Sequence, residues 1–325
     1  MVRVAVDAMG GDYAPHEIIR GAVQASREKV AHIILVGRED MLRSSSLLDG
    51  EGIEIVHADE VVAMDENPAY ALRRKKSASI SVATRLIKEG RADAVVSAGN
   101  TGAQMAAAVL DWGRIKGVSR PAIAAVLPTL KGGKVLIDVG ANVDCRPQHL
   151  LQFAQMGVLY AEQILNIRDA SVGLLNIGTE PGKGNNLVVS AYRLFEERMP
   201  RFKGNVEARD LPLGDVDVVV CDGFVGNVLL KFGEGLAAAM WRLIREEVEK
   251  KLFLRVGAAL MLPGLKELQK SLDYSEYGGA PLLGVRGVSI VCHGSSKARA
   301  IRNAIAVARK CVEERMEQKL SEVIA

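Results

Sequence analysis

Short continuous apolar runs recur along the chain, separated by stretches in which apolar positions return every three or four residues. VRVAVDAM (2–9), HIILVG (32–37), IEIVHA (53–58), ADAVVSAG (92–99), AIAAVLP (122–128), KVLIDVG (134–140), ASVGLLNIG (170–178), DVDVVVCDG (215–223) and VSIVCHG (288–294) predict strands. Few of them alternate cleanly between apolar and polar residues, as expected of strands buried on both faces of a mainly parallel sheet. The segments Pro15–Glu28, Ala78–Glu89, Thr101–Arg114, Gln148–Leu165, Asn186–Met199, Val225–Lys251 and Ser296–Lys319 have helical spacing. This alternation predicts an open, wound α/β fold. No internal repeat, low-complexity tract or Pro/Ser-rich linker cuts the chain. Residues 1–325 are therefore expected to form one domain, with an apolar and basic helical tip around 250–272.

In such sheets ligands sit beyond the carboxyl ends of the strands, where the next helices begin. The turns there share a composition. Asp7-Ala-Met-Gly-Gly-Asp12, Ser97-Ala-Gly-Asn-Thr-Gly-Ala103 and Asp138-Val-Gly-Ala-Asn142 are followed by Asn176-Ile-Gly-Thr-Glu-Pro-Gly-Lys-Gly-Asn185, Asp222-Gly-Phe-Val-Gly-Asn227 and His293-Gly-Ser-Ser296. Glycine lets backbone amides approach an anion, and Asn, Thr and Ser add neutral donors. The 176–185 turn is not a nucleotide-binding P-loop: it is one residue too short, and Lys183 is followed by Gly184 rather than by a hydroxyl residue. Lys183 reads either as an ammonium beside the free amides of the next helix, suited to a compact dianion, or as a solvated loop lysine.

Other signatures are absent or misplaced. Gly233-Glu-Gly235-Leu-Ala-Ala238 has dinucleotide-loop spacing but lies inside a helical segment. No G-x-S-x-G elbow occurs, no helix carries D-x-x-x-D, and Cys145 with His149 is half a metal ligand set. His293 reads as a turn histidine or as a proton donor. Lys plus Arg number 42 against 39 Asp plus Glu; a net charge of +3 gives no bulk attraction for nucleic acid, and none is expected as a partner. The four cysteines, Cys145, Cys221, Cys292 and Cys311, form neither a disulfide framework nor a CxxC pattern, which points to a reducing cytoplasm. The start MVRVAVDAMGGD turns polar too early for a secretory segment, and no apolar run reaches the ~20 residues that span a bilayer. Leu252–Leu265 carries one charge and is flanked by Arg242, Arg245, Lys250, Lys251, Lys266 and Lys270. It reads as an interfacial segment for an anionic membrane, a core helix or a contact between two copies.

Taken in order, DAMGGDYAP (7–15), SAGNTGA (97–103), DVGAN (138–142), NIGTEPGKGN (176–185), DGFVGN (222–227) and GGAPLLGV (278–285) closely resemble the bacterial phosphate acyltransferase family PlsX, from the first strand to the last helix. The resemblance implies transfer of a fatty acyl group from acyl carrier protein to inorganic phosphate, giving acyl phosphate for phospholipid synthesis. It implies a three-layer α/β/α fold like that of isocitrate and isopropylmalate dehydrogenases and a homodimer. It also implies peripheral membrane association through an apolar tip, here Phe253, Leu254, Leu260 and Leu262. Phosphate is itself the nucleophile and a thioester a reactive donor, so neither metal nor cofactor is expected. On that chemistry Lys183 with the amides of Gly182 and Gly184 would bind phosphate or the oxyanion. Asn227, Asn100 and Thr101 would donate neutral hydrogen bonds, and Lys183 or His293 would serve the departing thiolate. Asp7, Asp12, Asp138 and Asp222 would fix the loops, since a carboxylate facing phosphate repels it. Arg73-Arg74-Lys75-Lys76, the densest basic run, is the candidate dock for the acidic carrier, with the Arg242–Arg255 cluster as rival. Alternatives are a phosphotransacetylase-like enzyme using acyl-CoA, a dehydrogenase on the same fold, and a noncatalytic membrane-associated scaffold.

Overall fold

The computed structural model describes residues 1–48, 52–251, 253–258, 260–261, 264 and 274–324. The first half of the chain carries β1 (Arg3–Asp7), α1 (His16–Arg27), β2 (His32–Gly37), α2 (Glu39–Arg43), β3 (Glu54–His57), α3 (Pro68–Arg74), α4 (Ser79–Lys88), β4 (Ala94–Ser97) and α5 (Thr101–Asp111). The second half carries β5 (Ala122–Thr129), β6 (Gly132–Ile137), α6 (Pro147–Gln163), β7 (Val172–Asn176), α7 (Asn186–Arg198), β8 (Phe202–Glu207), β9 (Val218–Val220) and α8 (Gly223–Lys250). The chain closes with β10 (Ala280–Leu283), β11 (Val288–Val291), α9 (Ala298–Glu313) and α10 (Met316–Ile324).

Among the described residues all the strands join one 11-stranded sheet in the order β3-β2-β1-β4-β11-β10-β5-β6-β9-β7-β8. Pairing is parallel except along β11-β10-β5-β6, where three successive antiparallel pairs reverse the sheet. The triplet β1-β4-β11 therefore runs opposite to the triplet β6-β9-β7. Residues one apart on each strand enter opposite cores, as the two-residue period of a strand requires. Val4, Val6, Ile33, Leu35, Val96 and Ile137 meet α1, α6, α7, α9 and α10 on one face. Ala5, Ile34, Val36, Val95, Leu136 and Val219 meet α3, α4, α5 and the first turns of α8 on the other. The result is a mostly parallel sheet between two helical layers.

Two departures from the sequence reading have physical causes. Ser296–Lys319 is not one helix: Arg315 adopts φ +52°, its N–H bonds to the Val312 carbonyl, and α10 starts afresh to bury Met316 and Leu320. Helix α8 begins as expected but has buried residues only in its first turns. Gly223 and Gly226 are its buried residues, whereas Val225, Val228, Phe232, Leu236, Met240 and Leu243 are exposed. Most of the expected tip, Leu262 included, lies outside the described residues. Within it residues 253–258 are helical, Phe253 and Leu260 are exposed, and Leu254 is half-buried. Among the described residues no helix is long and apolar enough to cross a membrane.

Candidate active site

Register places the glycine-rich turns in two groups of three. Val6 pairs with Val96 and Val291 with Ser97, so the ends of β1, β4 and β11 stand level. Ile137 and Leu174 both pair with Val220, which levels the ends of β6, β9 and β7.

In the first group Asp7, 3% exposed, accepts the Ser97 hydroxyl at 2.7 Å and the Met9 N–H at 3.2 Å, and Ser97 Oγ accepts from the Gly99 N–H. Burial pushes the Asp7 carboxyl above its ordinary pKa, against the donors of Ser79, Ser97, Met9 and Gly10. Asp12 is exposed, and its N–H ties the β1 turn to the Gly294 carbonyl after β11 at 2.8 Å. Asn100 caps α5 by accepting from the Ala103 N–H, while its Nδ2 faces the carbonyls of Ala63, Met64 and Glu66. Its amide is thus committed to the 63–66 loop, and the donor expected to face phosphate is not free. Thr101 opens α5 half-buried. His293 Nδ1 accepts from the Ser295 N–H and meets its hydroxyl at 2.7 Å.

The second group is built around Asp138, which is fully buried and accepts from the N–H groups of Ile123, Gly140, Ala141 and Asn142 and from Asn142 Nδ2. Burial raises its pKa against these donors. Asn142 also donates to the Pro121 carbonyl, and its own carbonyl accepts from the Gly223 N–H, joining the β6 and β9 turns. Asp222 caps α8 through the Val225 N–H, and Asn227, one turn further, is exposed beside Gly140. Beyond β7, Gly182, Lys183 and Gly184 are all exposed, and Lys183 forms no ion pair among the described residues. Cys145 and Cys292 are pushed by burial to pKa values of about 12 and Cys221 is also raised, so these thiols stay protonated and none is prepared as a nucleophile. Among the described residues no three His, Cys, Asp or Glu side chains are placed to hold a metal ion.

Helix α8 links the groups. Asn227 and Glu234 are seven residues apart, about 10 Å along the axis, and Glu234 Oε2 stands 3.7 Å from His293 Nε2. His293 therefore belongs with the first group, and Lys183 and Asn227 with the second. The sequence reading named Asn142 and Asn176 only as residues of the turns and gave Glu234 no role. Asn142, four residues after Asp138, was the legible one, because a short Asp-to-Asn spacing in a turn allows such a bond.

The basic run divides. Arg73, Arg74 and Lys76 are exposed, and Arg74 donates to the Tyr70 hydroxyl while lying 5.2 Å from the ring centroid. Lys75 is turned inward, donating to the Val61 carbonyl at 2.8 Å and to Glu66 at 2.5 Å. Its ammonium is engaged by the 61–66 loop and is only partly exposed.

The family model for fatty acid synthesis proteins matches residues 2–319. A phosphate acyltransferase of Moorella thermoacetica is 59% identical over 324 residues, covering 99% of this chain and 96% of that protein. One of Heliobacterium modesticaldum is 56% identical, covering 99% and 98%. The chain belongs to the phosphate acyltransferase (PlsX) family. Membership makes it an acyltransferase. Among solved structures, a phosphotransacetylase from Streptococcus pyogenes superposes with a TM-score of 0.63 at 17% identity, covering 96% of this chain and 94% of that one. The 4-hydroxythreonine-4-phosphate dehydrogenase of Klebsiella pneumoniae gives 0.53 at 14%, covering 96% and 98%. At such identities the likeness is one of fold.

Proposed function

We propose that the chain transfers a fatty acyl group from the thioester of an acyl carrier protein to inorganic phosphate, yielding acyl phosphate and free carrier for phospholipid synthesis. The observation that carries this reading is the full-length match to relatives named phosphate acyltransferase. Neutral and cationic donors around exposed turns support it. Lys183 and the amides of Gly182 and Gly184 hold the phosphate, with Asn227 donating from the adjacent turn after β9 and Thr101 from the first group of turns. A phosphate oxygen bonds to the acyl carbon, the carbon–sulfur bond breaks, and the oxyanion that forms between these events is stabilised by the same donors. The thiolate, whose ordinary pKa is near ~8.5, takes a proton from Lys183 or His293. Asp7, Asp12, Asp138 and Asp222 shape the turns and stay clear of the phosphate.

The protein works in this reading as a cytoplasmic homodimer resting on the membrane. The exposed apolar stripe of α8 supports a contact between copies, and exposed Phe253 and Leu260 beside Lys250 and Lys251 support an anionic surface. Purified protein with phosphate and palmitoyl carrier protein is expected to give acyl phosphate, trapped as the hydroxamate by hydroxylamine, and less with palmitoyl-CoA. Product from palmitoyl-CoA alone would reassign the donor, and no product from either would remove the transferase reading. Sedimentation equilibrium reads the dimer, and flotation with anionic vesicles reads the membrane contact; a monomer, or protein left in the soluble fraction, ends the corresponding claim.

A further inference from the structure

The turn that carries Lys183 is held by two asparagines that the proposed chemistry does not use. Asn205, on the edge strand β8 and 7% exposed, donates Nδ2 to the Glu180 carbonyl at 2.8 Å. Asn176, the last residue of β7, donates Nδ2 to the Lys183 carbonyl at 2.9 Å and accepts from the Ile177 N–H with Oδ1. The Lys183 N–H closes the turn on the same Glu180 carbonyl at 3.1 Å. One strand thus fixes the start of the turn and its neighbour fixes the end. Gly184 leaves the turn at φ +94°, where a Cβ would lie 2.4 Å from Asn176 Oδ1, so a side chain there would dislodge the second clamp. The Lys183 side chain itself points to no ion partner among the described residues.

Stability alone does not favour asparagine at 205. Its Oδ1 is buried without a hydrogen-bond partner among the described residues, and a half-satisfied buried amide is no better for folding than an apolar residue of the same shape. The β7–β8 register shifts between the pairs Val172–Phe202 and Leu174–Asn205, with Gly204 at φ +93°; a bulge of this kind re-aims the side chain that follows it. What Asn205 supplies is a fixed Glu180 carbonyl.

We infer that Asn205 and Asn176 are positioning residues that pre-order the Lys183 turn for phosphate, an inference that rests on the phosphate-binding reading of Lys183. A turn ordered in advance does not charge its ordering entropy to ligand binding. Asn205→Leu, which keeps the branched outline of the side chain and removes both amide atoms, is expected to raise the phosphate KM roughly tenfold. The acyl-donor KM should not move, and the melting temperature should hold or rise. In a Lys183→Ala background the same substitution should add no further rise. An unchanged phosphate KM in Asn205→Leu, or an equal rise in both backgrounds, overturns the inference. Lys183→Ala on its own separates the two failures: a raised phosphate KM there with none in Asn205→Leu sinks the positioning role alone, whereas no rise in Lys183→Ala removes the reading beneath it as well. Should Asn205→Leu not fold, Asn205→Ser, too short to reach the Glu180 carbonyl, carries the same expectations.

Discussion

Asp138 gathers five hydrogen bonds into a buried carboxylate, and the backbone around it leaves no space for an added atom. A Cβ on Gly226 would lie 1.9 Å from the Asp138 carbonyl oxygen and 2.9 Å from Cys221 Sγ. The first of these is main chain, which cannot swing aside, so α8 would have to lift from the β6 turn. Gly226→Ala is expected to cost roughly 1–3 kcal/mol, the range for overpacking a filled interior, and to lower the melting temperature accordingly. Gly235, in the same helix, has nothing within 4 Å of its Cβ position among the described residues. Gly235→Ala should therefore stabilise by up to ~1 kcal/mol through helix propensity alone. Equal effects from the two substitutions would show that close approach to Asp138 does not decide the cost.

At the scale of elements, the strands that were legible are those buried on both faces, because continuous apolar runs such as Ala94–Ser97 and Val218–Val220 have no other use. Strand β8, Phe202–Glu207, was not legible. As an edge strand with one buried residue it reads FKGNVE, and nothing in that string separates it from a loop. The Asn205 clamp was hidden for the same reason. Strand β10 was missed because Pro281 lies within it and glycines flank it, features that argue against a strand unless antiparallel neighbours supply the pairing. The turns were visible as composition, but the partners of Asn100 and Lys75 depend on how the 61–66 loop folds against α3 and α5. Helix α3 shows what that changes. With Lys75 engaged, the exposed cations are Arg73, Arg74 and Lys76, so Arg73→Glu with Lys76→Glu tests carrier docking without unpicking the 61–66 loop. The double variant is expected to raise the carrier KM several-fold, more at low salt, with turnover retained. A fall in turnover at unchanged KM would put the dock elsewhere.

Across the whole molecule four acids at the two ends of the strand triplets are shifted in opposite senses. At the ends that carry the glycine-rich turns Asp7 and Asp138 are raised by burial. At the other ends two acids are lowered. Asp93, just before β4, accepts from the Arg3 guanidinium at 2.7 Å and the Arg3 N–H at 2.8 Å, which holds it below its ordinary 3.8. Asp217, just before β9, is opposed by burial, yet Lys134 at 2.6 Å and the two donors of Ser171 outweigh it, and its pKa also falls below 3.8. These contacts tie β1 to β4 and β9 to β6 and β7. A carboxyl with a lowered folded pKa contributes stability in full above its unfolded value and loses it as pH falls through the folded one. Asp217→Asn should therefore cost roughly 1.5–3 kcal/mol at pH 7, the range for hydrogen bonds to a charged group. Asp93→Asn, at a partly exposed pair, should cost no more than about 1 kcal/mol. Urea denaturation at stepped pH would see both gaps from the unsubstituted protein hold steady down to about pH 5 and narrow as the pH passes below 3.8. A gap of constant size across that range would mean that the hydrogen bonds survive protonation and that ionisation of these two acids does not hold the triplets together.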